Sequence, residues 1–344
     1  MTPGPTPSGE RVGLKHGAGG RAMRTLIEEV FLTLGGPVDG VGLAALDDGA
    51  ALRLGDQWLV VTTDSHVVQP AFFPGGDIGR LAICGTVNDL AMMGCTEVLG
   101  LTCAVVLEEG YRREDLLRVR DSMRQACQEA GATVIAGDTK VMGKGELDGI
   151  VVNTTGVGLT RRLVRDDGLR PGDKVILTGT AGDHGLAVLA ARRDLRIEGD
   201  LVSDVAPLNG LVRSALDAGG TEVVAMKDPT RGGVASALHE FASKARVGIL
   251  LDGPTVPLSP GTMAAAEILG IDPLLVANEG KALIGVRAGA AERVLAAVRA
   301  HPLGRRAAVV ATAIPERPGQ IVLDTGLGKR ILAEAEGDPL PRIC

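Results

Sequence analysis

The segment Arg161-Arg-Leu-Val-Arg-Asp-Asp-Gly-Leu-Arg-Pro-Gly-Asp173, followed by the apolar run Lys174-Val-Ile-Leu-Thr178, divides the chain into two parts. Charged residues with a Pro-Gly pair are typical of the exposed linkers in which domain boundaries fall. The run that follows has the length and the β-branched content of a buried strand. We therefore predict a domain boundary between residues 165 and 166.

Secondary-structure signals alternate on both sides of this boundary. Apolar runs predict strands at 58–61, 99–107, 133–136, 149–158, 174–178, 222–226 and 247–251. Helices are predicted at 78–93, 113–130, 185–192, 233–244 and 290–300. The pattern is that of an α/β or α+β enzyme. We expect four segments: an N-terminal extension with a glycine-rich loop (1–40), an N-terminal domain (41–165), a C-terminal α/β domain (166–330) and a mobile tail (331–344).

The composition limits the class of protein. Of the 344 residues, 45% are hydrophobic but only 2% are aromatic, so the cores must be packed from small aliphatic side chains. A net charge of −6 disfavours a nucleic-acid surface. No apolar run reaches the ~20 residues of a membrane-spanning helix, and the first residues lack the basic and apolar regions of a signal peptide. We expect a cytoplasmic protein with no nucleic-acid or membrane partner.

The chain ends in a thiol on a proline-containing tail, Glu336-Gly-Asp-Pro-Leu-Pro-Arg-Ile-Cys344. Proline and glycine break helices, and an extended tail of this length spans roughly 30 Å. Cys344 therefore has the features of a tethered reagent that moves between two sites. The alternative is a frayed terminus whose last residue happens to be cysteine. The four other cysteines lie in apolar contexts without CxxC spacing, and we interpret them as reduced core thiols.

Short acidic motifs recur near the ends of the predicted elements. Asp64, Asp138 and Asp228 follow apolar strands, and Asp47-Asp48 and Asn88-Asp89 are two further polar pairs. Taken singly, such motifs are usually turns, helix surfaces or helix starts. Together they predict a hard-cation site, because Mg²⁺ takes oxygen ligands and leaves positions for phosphate oxygens. The natural ligand is a nucleotide triphosphate.

Familiar nucleotide-binding motifs are missing from the sequence. It contains neither GxxxxGK[ST] nor GxGxxG. The loop Gly17-Ala-Gly-Gly20 has backbone amides that fit a phosphate, although three glycines near an N-terminus are more often merely flexible. The phosphates would have to be held mainly by metal.

Several longer stretches resemble the HypE family of hydrogenase maturation factors, which are carbamoyl dehydratases. The matching stretches are Asp64-Ser-His-Val-Val68, Phe72-Phe-Pro-Gly-Gly-Asp-Ile-Gly-Arg80, Cys84-Gly-Thr-Val-Asn-Asp-Leu-Ala-Met-Met-Gly94, Gly137-Asp-Thr-Lys-Val141, Asp228-Pro-Thr-Arg-Gly-Gly233, Asn278-Glu-Gly-Lys281 and the terminal Pro341-Arg-Ile-Cys344. HypE is related to aminoimidazole ribonucleotide synthetase and selenophosphate synthetase. The acidic motifs fit that whole superfamily, and the terminal Cys344 selects HypE within it. The sequence departs from the family pattern at Lys227, where arginine is expected, and in the first ten residues.

The resemblance implies a fold, a reaction and partners. The fold is a two-domain, α+β, aminoimidazole ribonucleotide synthetase-like fold with a flexible C-terminal tail. The reaction is the ATP-dependent dehydration of an S-carbamoyl group on Cys344 to a thiocyanate, which supplies cyanide ligands for the iron of [NiFe] hydrogenase. The cofactors are ATP and Mg²⁺. The partners are a second copy, associated through N-terminal sheets with the ATP site between subunits, the carbamoyltransferase HypF and the HypC–HypD iron scaffold.

The resemblance also implies site residues. Mg²⁺ ligation falls to Asp47, Asp48, Asp64, Asp89, Asp138 and Asp228, and nucleotide contacts to Gly17, Gly19, Gly20, Asn88, Thr139, Arg231 and Gly232. The catalytic set is Cys344, Glu279, Lys140 and His66. Glu279 would accept the amide proton and Lys140 would neutralise the oxygen being phosphorylated. The alternative for Lys140 and Glu279 is a structural ion pair or two solvated loop charges, and His66 serves either as a base or to orient an aspartate.

Two other classes explain part of this pattern. A selenophosphate synthetase or a purine-pathway ATPase would share the acidic motifs but act on a free small molecule. The former typically has a cysteine or selenocysteine near the N-terminal glycine loop, whereas this chain has no cysteine before Cys84. A non-enzymatic thiol carrier would explain Cys344 but would leave the acidic motifs without a role.

Overall fold

The structure is a computed structural model that describes residues 11–17, 19–195, 197, 200–334 and 343. Cys344 and residues 335–342 of the predicted mobile tail lie outside the described residues, as do the first ten residues and Ala18.

The first half of the chain forms a six-stranded sheet with its covering helices. Its elements are α1 (Gly20–Leu26), β1 (Gly40–Val41), β2 (Ala50–Leu54), β3 (Gln57–His66), a small hairpin of β4 (Phe72–Phe73) and β5 (Gly76–Asp77), α2 (Ile78–Met92), β6 (Val98–Glu108), α3 (Arg113–Ala130), β7 (Val134–Met142) and β8 (Ile150–Thr160). The sheet order is β1-β2-β3-β8-β6-β7, and β7 is therefore an edge strand. Only β6 and β7 pair in parallel within this sheet.

The second half forms a seven-stranded sheet with its own helices. Its elements are β9 (Lys174–Leu177), α4 (Asp183–Arg192), α5 (Asn209–Gly219), β10 (Val223–Lys227), α6 (Gly233–Ala245), β11 (Gly248–Asp252), α7 (Pro260–Leu269), β12 (Leu283–Val286), α8 (Ala291–Ala300), β13 (Ala308–Ile314), β14 (Ile321–Asp324) and β15 (Lys329–Leu332). The sheet order is β10-β12-β9-β13-β11-β14-β15.

Helix α2 joins the two halves. Its N-terminus is capped by Asp77, whose side chain accepts hydrogen bonds from the backbone N–H groups of Gly79 and Arg80 at 2.7 and 3.1 Å. The helix is largely apolar on all sides, as expected for a helix with no solvent face. It packs on β3 and β8 on one side and on α3 and α5 on others. The largest core cluster likewise contains Leu81 of the first half and Val276 of the second, so the halves share packing.

The predicted elements are all present, with bounds that mostly differ by a residue or two. Two strands are longer than expected, and this corrects the placement of two aspartates. Asp64 lies inside β3, because β3 stays paired with β8 as far as His66. Asp138 lies inside β7, because β7 stays paired with β6 as far as Met142. Neither carboxylate therefore ends a strand, whereas Asp228 directly follows β10 as predicted.

Candidate active site

A cleft of about 740 Å³ lies between the two halves and is lined by residues from both. Strand β3 contributes Asp64, the last turn of α2 contributes Asp89, and the end of β10 leads into Asp228. Loops before β2 and β12 supply the remaining acidic side chains. Six of the predicted site carboxylates thus share one cleft: Asp47, Asp48, Asp64, Asp89, Asp228 and Glu279.

Burial disfavours the charged form of most of these carboxylates. It raises the pKa of Asp47 to about 7 and the pKa of Asp228 to about 8, and the charge of Asp48 adds to both shifts. Burial and neighbouring carboxylates also hold the pKa of Asp89 well above its usual range. At Asp64, burial acts to raise the pKa, but the charges of His66 and Arg231 oppose it and the net pKa is lowered. The cleft therefore favours a ligand that brings positive charge.

Three carboxylate oxygens in the cleft are buried without a hydrogen-bond partner. They are Oδ2 of Asp47, Oδ2 of Asp48 and Oε1 of Glu279. Buried polar atoms are normally partnered, so unpaired oxygens at a cleft indicate a missing ligand. Among the described residues, no three acidic, histidine or cysteine side chains are close enough to hold a metal ion by themselves. The donors fit Mg²⁺ held by a few carboxylates together with phosphate oxygens, which is its usual mode of binding.

Sequence reasoning missed the lysines behind these carboxylates. Lys227 Nζ lies 2.5 Å from Asp48 Oδ1 and 3.1 Å from Glu240 Oε2. Lys244 of α6 forms an ion pair with Asp166 and also lines the cleft. The only signal in the sequence was the presence of Lys227 at a position where the family pattern has arginine. The ammonium group of Lys227 donates a hydrogen bond to one oxygen of the Asp48 carboxylate, and the other oxygen has no partner.

The predicted glycine loop approaches the arginine motif. Gly19 has φ 79°, and a Cβ at this position would lie 2.8 Å from Cβ of Arg231. Gly20 starts α1, and both glycines and Arg231 line the cleft. Gly232 also has a positive φ, 79°, but it is not among the described residues that line the cleft. Gly17 is exposed and belongs to a short 3-10 turn, so of the described residues of this loop Gly19 and Gly20 line the cleft and Gly17 does not.

Comparisons with known proteins identify the family of the chain. Two families match the chain: AIR synthase related protein, N-terminal domain, over residues 46–160, and AIR synthase related protein, C-terminal domain, over residues 170–324. Carbamoyl dehydratase HypE of Rhizobium leguminosarum bv. viciae is 45% identical over 337 residues, which cover 97% of this chain and 95% of that protein. The chain belongs to the HypE family.

Solved structures of HypE agree with this assignment. A crystal structure of HypE in complex with ATP matches with a TM-score of 0.81 at 40% identity, covering 96% of this chain and 99% of that one. The crystal structure of a HypE–HypF complex matches with a TM-score of 0.84 at 40% identity, covering 90% and 99%. The predicted family, its two-domain fold and its class as an enzyme are thereby confirmed. No helix within the described residues of this HypE-family chain has the length and apolar character to span a membrane.

His66 lies behind Asp64 rather than on the wall of the cleft. It is 1% exposed, and its Nε2 is 3.6 Å from Asp64 Oδ2. Neither ring nitrogen has a hydrogen-bond partner, and burial lowers the pKa of the imidazole. Gly85 of α2 covers the ring, because a Cβ there would lie 2.8 Å from His66 Cε1. This placement fits the expected orienting role towards an aspartate better than that of a base in contact with substrate.

Asn88 holds the two halves of this HypE-family chain together. Its Nδ2 donates to the carbonyl oxygens of Ala206 and Glu279 at 3.1 and 3.2 Å, and its Oδ1 accepts from the N–H of Leu208 at 2.7 Å. The side chain is buried and fully engaged with backbone groups. Asn88 therefore helps to position the Glu279 backbone, and it is not among the described residues that line the cleft.

The β7 residues do not reach the cleft of their own chain. Asp138 and Lys140 have side chains that are 61% and 68% exposed, and Lys140 Nζ lies 2.9 Å from Asp138 Oδ2. Neither they nor Thr139 are among the described residues that line the cleft. Within one chain, Lys140 therefore pairs with Asp138 and not with Glu279. Cys344, the remaining predicted catalytic residue, lies outside the described residues.

Proposed function

We propose that this chain uses ATP to dehydrate a carbamoyl group carried on the Cys344 sulfur, giving a thiocyanate that supplies cyanide ligands to the iron of [NiFe] hydrogenase. The observation that carries the proposal is the acidic cleft with three unpartnered carboxylate oxygens, in a chain similar over almost its whole length to HypE solved with ATP. The negative charge of the ATP phosphates has to be neutralised in a cleft lined by carboxylates. The carboxylate oxygens present fit Mg²⁺, which would supply that positive charge.

The reaction balances in two steps. The carbamoyl oxygen takes the γ-phosphoryl group of ATP, ADP leaves, and one proton leaves the nitrogen. The carbon–oxygen bond then breaks, phosphate leaves with its bonding electrons, the second proton leaves the nitrogen, and a carbon–nitrogen triple bond forms on the sulfur. The chain must therefore hold the thiocarbamate in line with ATP and accept protons from its nitrogen.

Glu279 is the side chain best placed to accept a proton. It is buried, lines the cleft and has one oxygen without a partner. Burial, together with the charges of Asp228 and Asp64, holds its pKa well above the usual range. In its ionised form, a carboxylate with a raised pKa holds an accepted proton more tightly than an exposed carboxylate does.

The proposal includes a homodimer in which a second copy supplies Asp138, Thr139 and Lys140 to the cleft. Every residue of β7 is exposed, and Ile135 and Val141 are each 66% exposed. An apolar, unpaired edge strand is a suitable surface for association with another copy. The arrangement would bring Lys140 to Glu279 and the phosphorylated oxygen from the neighbouring chain.

The remaining partners are proposed from the relatives. One related HypE was solved with HypF, and we propose HypF as the carbamoyl donor for Cys344. The HypC–HypD iron scaffold would then accept the cyanide, and all of these encounters would take place in the cytoplasm.

A mass spectrum tests the proposed function directly. The purified chain is incubated with a HypF carbamoyl-donor system, first without and then with ATP and Mg²⁺, and the peptide that carries Cys344 is weighed. We expect a carbamoyl adduct that loses one water mass only when ATP is added. Cys344→Ala should show neither product, while the matched variant Cys103→Ala should behave as wild type. Dehydration in the Cys344→Ala protein would overturn the proposal.

A further inference from the structure

A histidine that is not among the described residues lining the acidic cleft contacts the end of the chain. His184 lies at the start of α4 and is fully buried. Its Nε2 is 2.6 Å from the carbonyl oxygen of Ile343, and its Nδ1 is 2.8 Å from Ser203 Oγ. Phe73 packs against the ring in an edge-to-face arrangement with the centroids 5.3 Å apart. The imidazole is thus fixed on three sides.

The partners determine how the histidine is protonated. A carbonyl oxygen only accepts hydrogen bonds, so Nε2 must carry the proton and donate it to Ile343. Burial lowers the pKa of His184, which favours the neutral ring, so Nδ1 accepts a hydrogen bond from the Ser203 hydroxyl. Ser203 Oγ in turn accepts from the N–H of Val205 at 3.2 Å. These hydrogen bonds fix the ring so that the Nε2–H group of His184 is directed at the Ile343 carbonyl oxygen.

Ile343 is anchored through its side chain as well. It is 2% exposed and belongs to the core cluster that also contains Phe73 and Leu186. Burying an isoleucine side chain contributes roughly 1.5–3 kcal/mol relative to exposure. Chain termini are usually poorly ordered, so the penultimate residue needs such a reason to be held.

The histidine contact and the catalytic loop are attached to the same backbone segment. Ser203 holds His184, and the next residue, Asp204, accepts a hydrogen bond from the N–H of Glu279 at 3.1 Å. Asp204 also binds Asn278 and Lys281, at 2.9 Å each. The Ile343 carbonyl belongs to the peptide bond that joins Ile343 to Cys344, so the hydrogen bond from His184 acts one bond away from the thiol-bearing residue.

We propose that His184 is a positioning residue that docks the chain terminus through the Ile343 carbonyl and thereby holds the terminal cysteine on the side of the fold that carries the Glu279 loop. The consequence for catalysis rests on the proposed function, whereas the docking itself does not. Among the described residues, this docking consists of one hydrogen bond and one buried side chain.

Thiol accessibility measures the docking without ATP or a carbamoyl group. The full-length protein is treated with iodoacetamide, and the alkylation rate of Cys344 is followed by peptide mass spectrometry. His184→Ala should alkylate about fivefold faster, because loss of one net hydrogen bond shifts an equilibrium by that order. His184→Gln keeps an N–H donor and should return the rate to within about twofold of wild type. Thermal unfolding checks that each variant is folded.

Further variants distinguish loss of the docked terminus from a general loss of stability. Ile343→Ala should also accelerate alkylation, and the double variant His184→Ala/Ile343→Ala should gain little beyond the faster single variant, since both remove the same docked arrangement. The matched control is His239→Ala, which removes another imidazole–carbonyl hydrogen bond, from His239 Nε2 to the Leu332 oxygen at 2.9 Å. It should leave the Cys344 rate unchanged.

The outcomes distinguish this inference from the proposed function. Unchanged alkylation in folded His184→Ala, or equal acceleration in His239→Ala, would overturn the docking role. If alkylation responds as expected but no dehydration occurs, the docking stands and the proposed function fails. If both hold, His184→Ala should lower kcat for dehydration and leave the KM for ATP unchanged, because His184 is not among the described residues that line the cleft.

Discussion

At the scale of single residues, Asp228 shows how the cleft is poised for a ligand. It is buried directly after β10, and burial with the charge of Asp48 raises its pKa from 3.8 to about 8. The folded protein therefore binds this proton more tightly than the unfolded chain. The resulting stability is complete below the unfolded pKa of 3.8 and is lost as the pH rises through about 8.

Replacing this carboxylate should stabilise the ligand-free protein at high pH. Asp228→Asn cannot carry the buried charge, so its melting temperature should exceed that of wild type by an amount that grows between about pH 5 and about pH 9. Thermal unfolding in metal-free buffer provides the measurement. The control is Asp56→Asn, whose side chain is 81% exposed and should give no such trend. A difference in melting temperature that is independent of pH would show that folding does not raise the pKa of Asp228.

Sequence motifs predicted best those residues whose role depends on their immediate neighbours in the chain. Asp47, Asp48 and Asp228 sit in short motifs of glycine and acidic residues, and they do converge on the cleft. Lys227 and Lys244 were not predicted, because their role depends on Asp48, Asp166 and Glu240, which only folding brings to them. The exposure of Asp138 and Lys140 likewise depends on β7 being an edge strand, which no local pattern specifies.

At the scale of elements, the length of a helix or strand decided how well the sequence predicted it. Long helices such as α2 and α3 were predicted within a residue of their bounds. The short strand β12 and helices α5 and α7 were not predicted, since segments of this length carry a weaker periodic signal. No local pattern indicated that the Asn88 side chain bonds three backbone groups, because Ala206, Leu208 and Glu279 lie far from it in the chain.

Removing the Asn88 side chain should destabilise the whole protein. Asn88→Ala leaves three buried backbone groups without their partner, and we expect a loss of about 2–4 kcal/mol in the free energy of unfolding. Chemical denaturation followed by circular dichroism measures it. Gln125→Ala on α3 removes an exposed hydrogen bond to Glu129 and should change stability by less than about 0.5 kcal/mol. Equal stability of both variants would mean that α2 is held by apolar packing alone.

At the scale of the whole molecule, a complete site should require two chains. Asp64 lines the cleft, whereas Asp138 is exposed on β7 of the same chain. Asp64→Asn and Asp138→Asn should each weaken Mg²⁺-dependent ATP binding more than they weaken folding, because each removes a charged oxygen from the phosphate environment. Isothermal titration with ATP, alongside thermal unfolding, compares the two effects. Unchanged affinity in both variants would make these aspartates ordinary strand residues.

Mixing the two variants tests whether the aspartates meet across a dimer. If chains exchange at random, half of the dimers are mixed and one of the two sites in each mixed dimer has both aspartates, so about a quarter of wild-type ATPase activity should return. The exchange is verified by native mass spectrometry with one variant isotope-labelled, and mixing either variant with itself provides the control. A single-chain site predicts no recovery, because neither variant then contains an intact set of ligands. A monomeric mass by sedimentation at micromolar concentration, with full ATPase activity, would also rule out the dimer, and Lys140 would then have to act from the exposed face on which it lies.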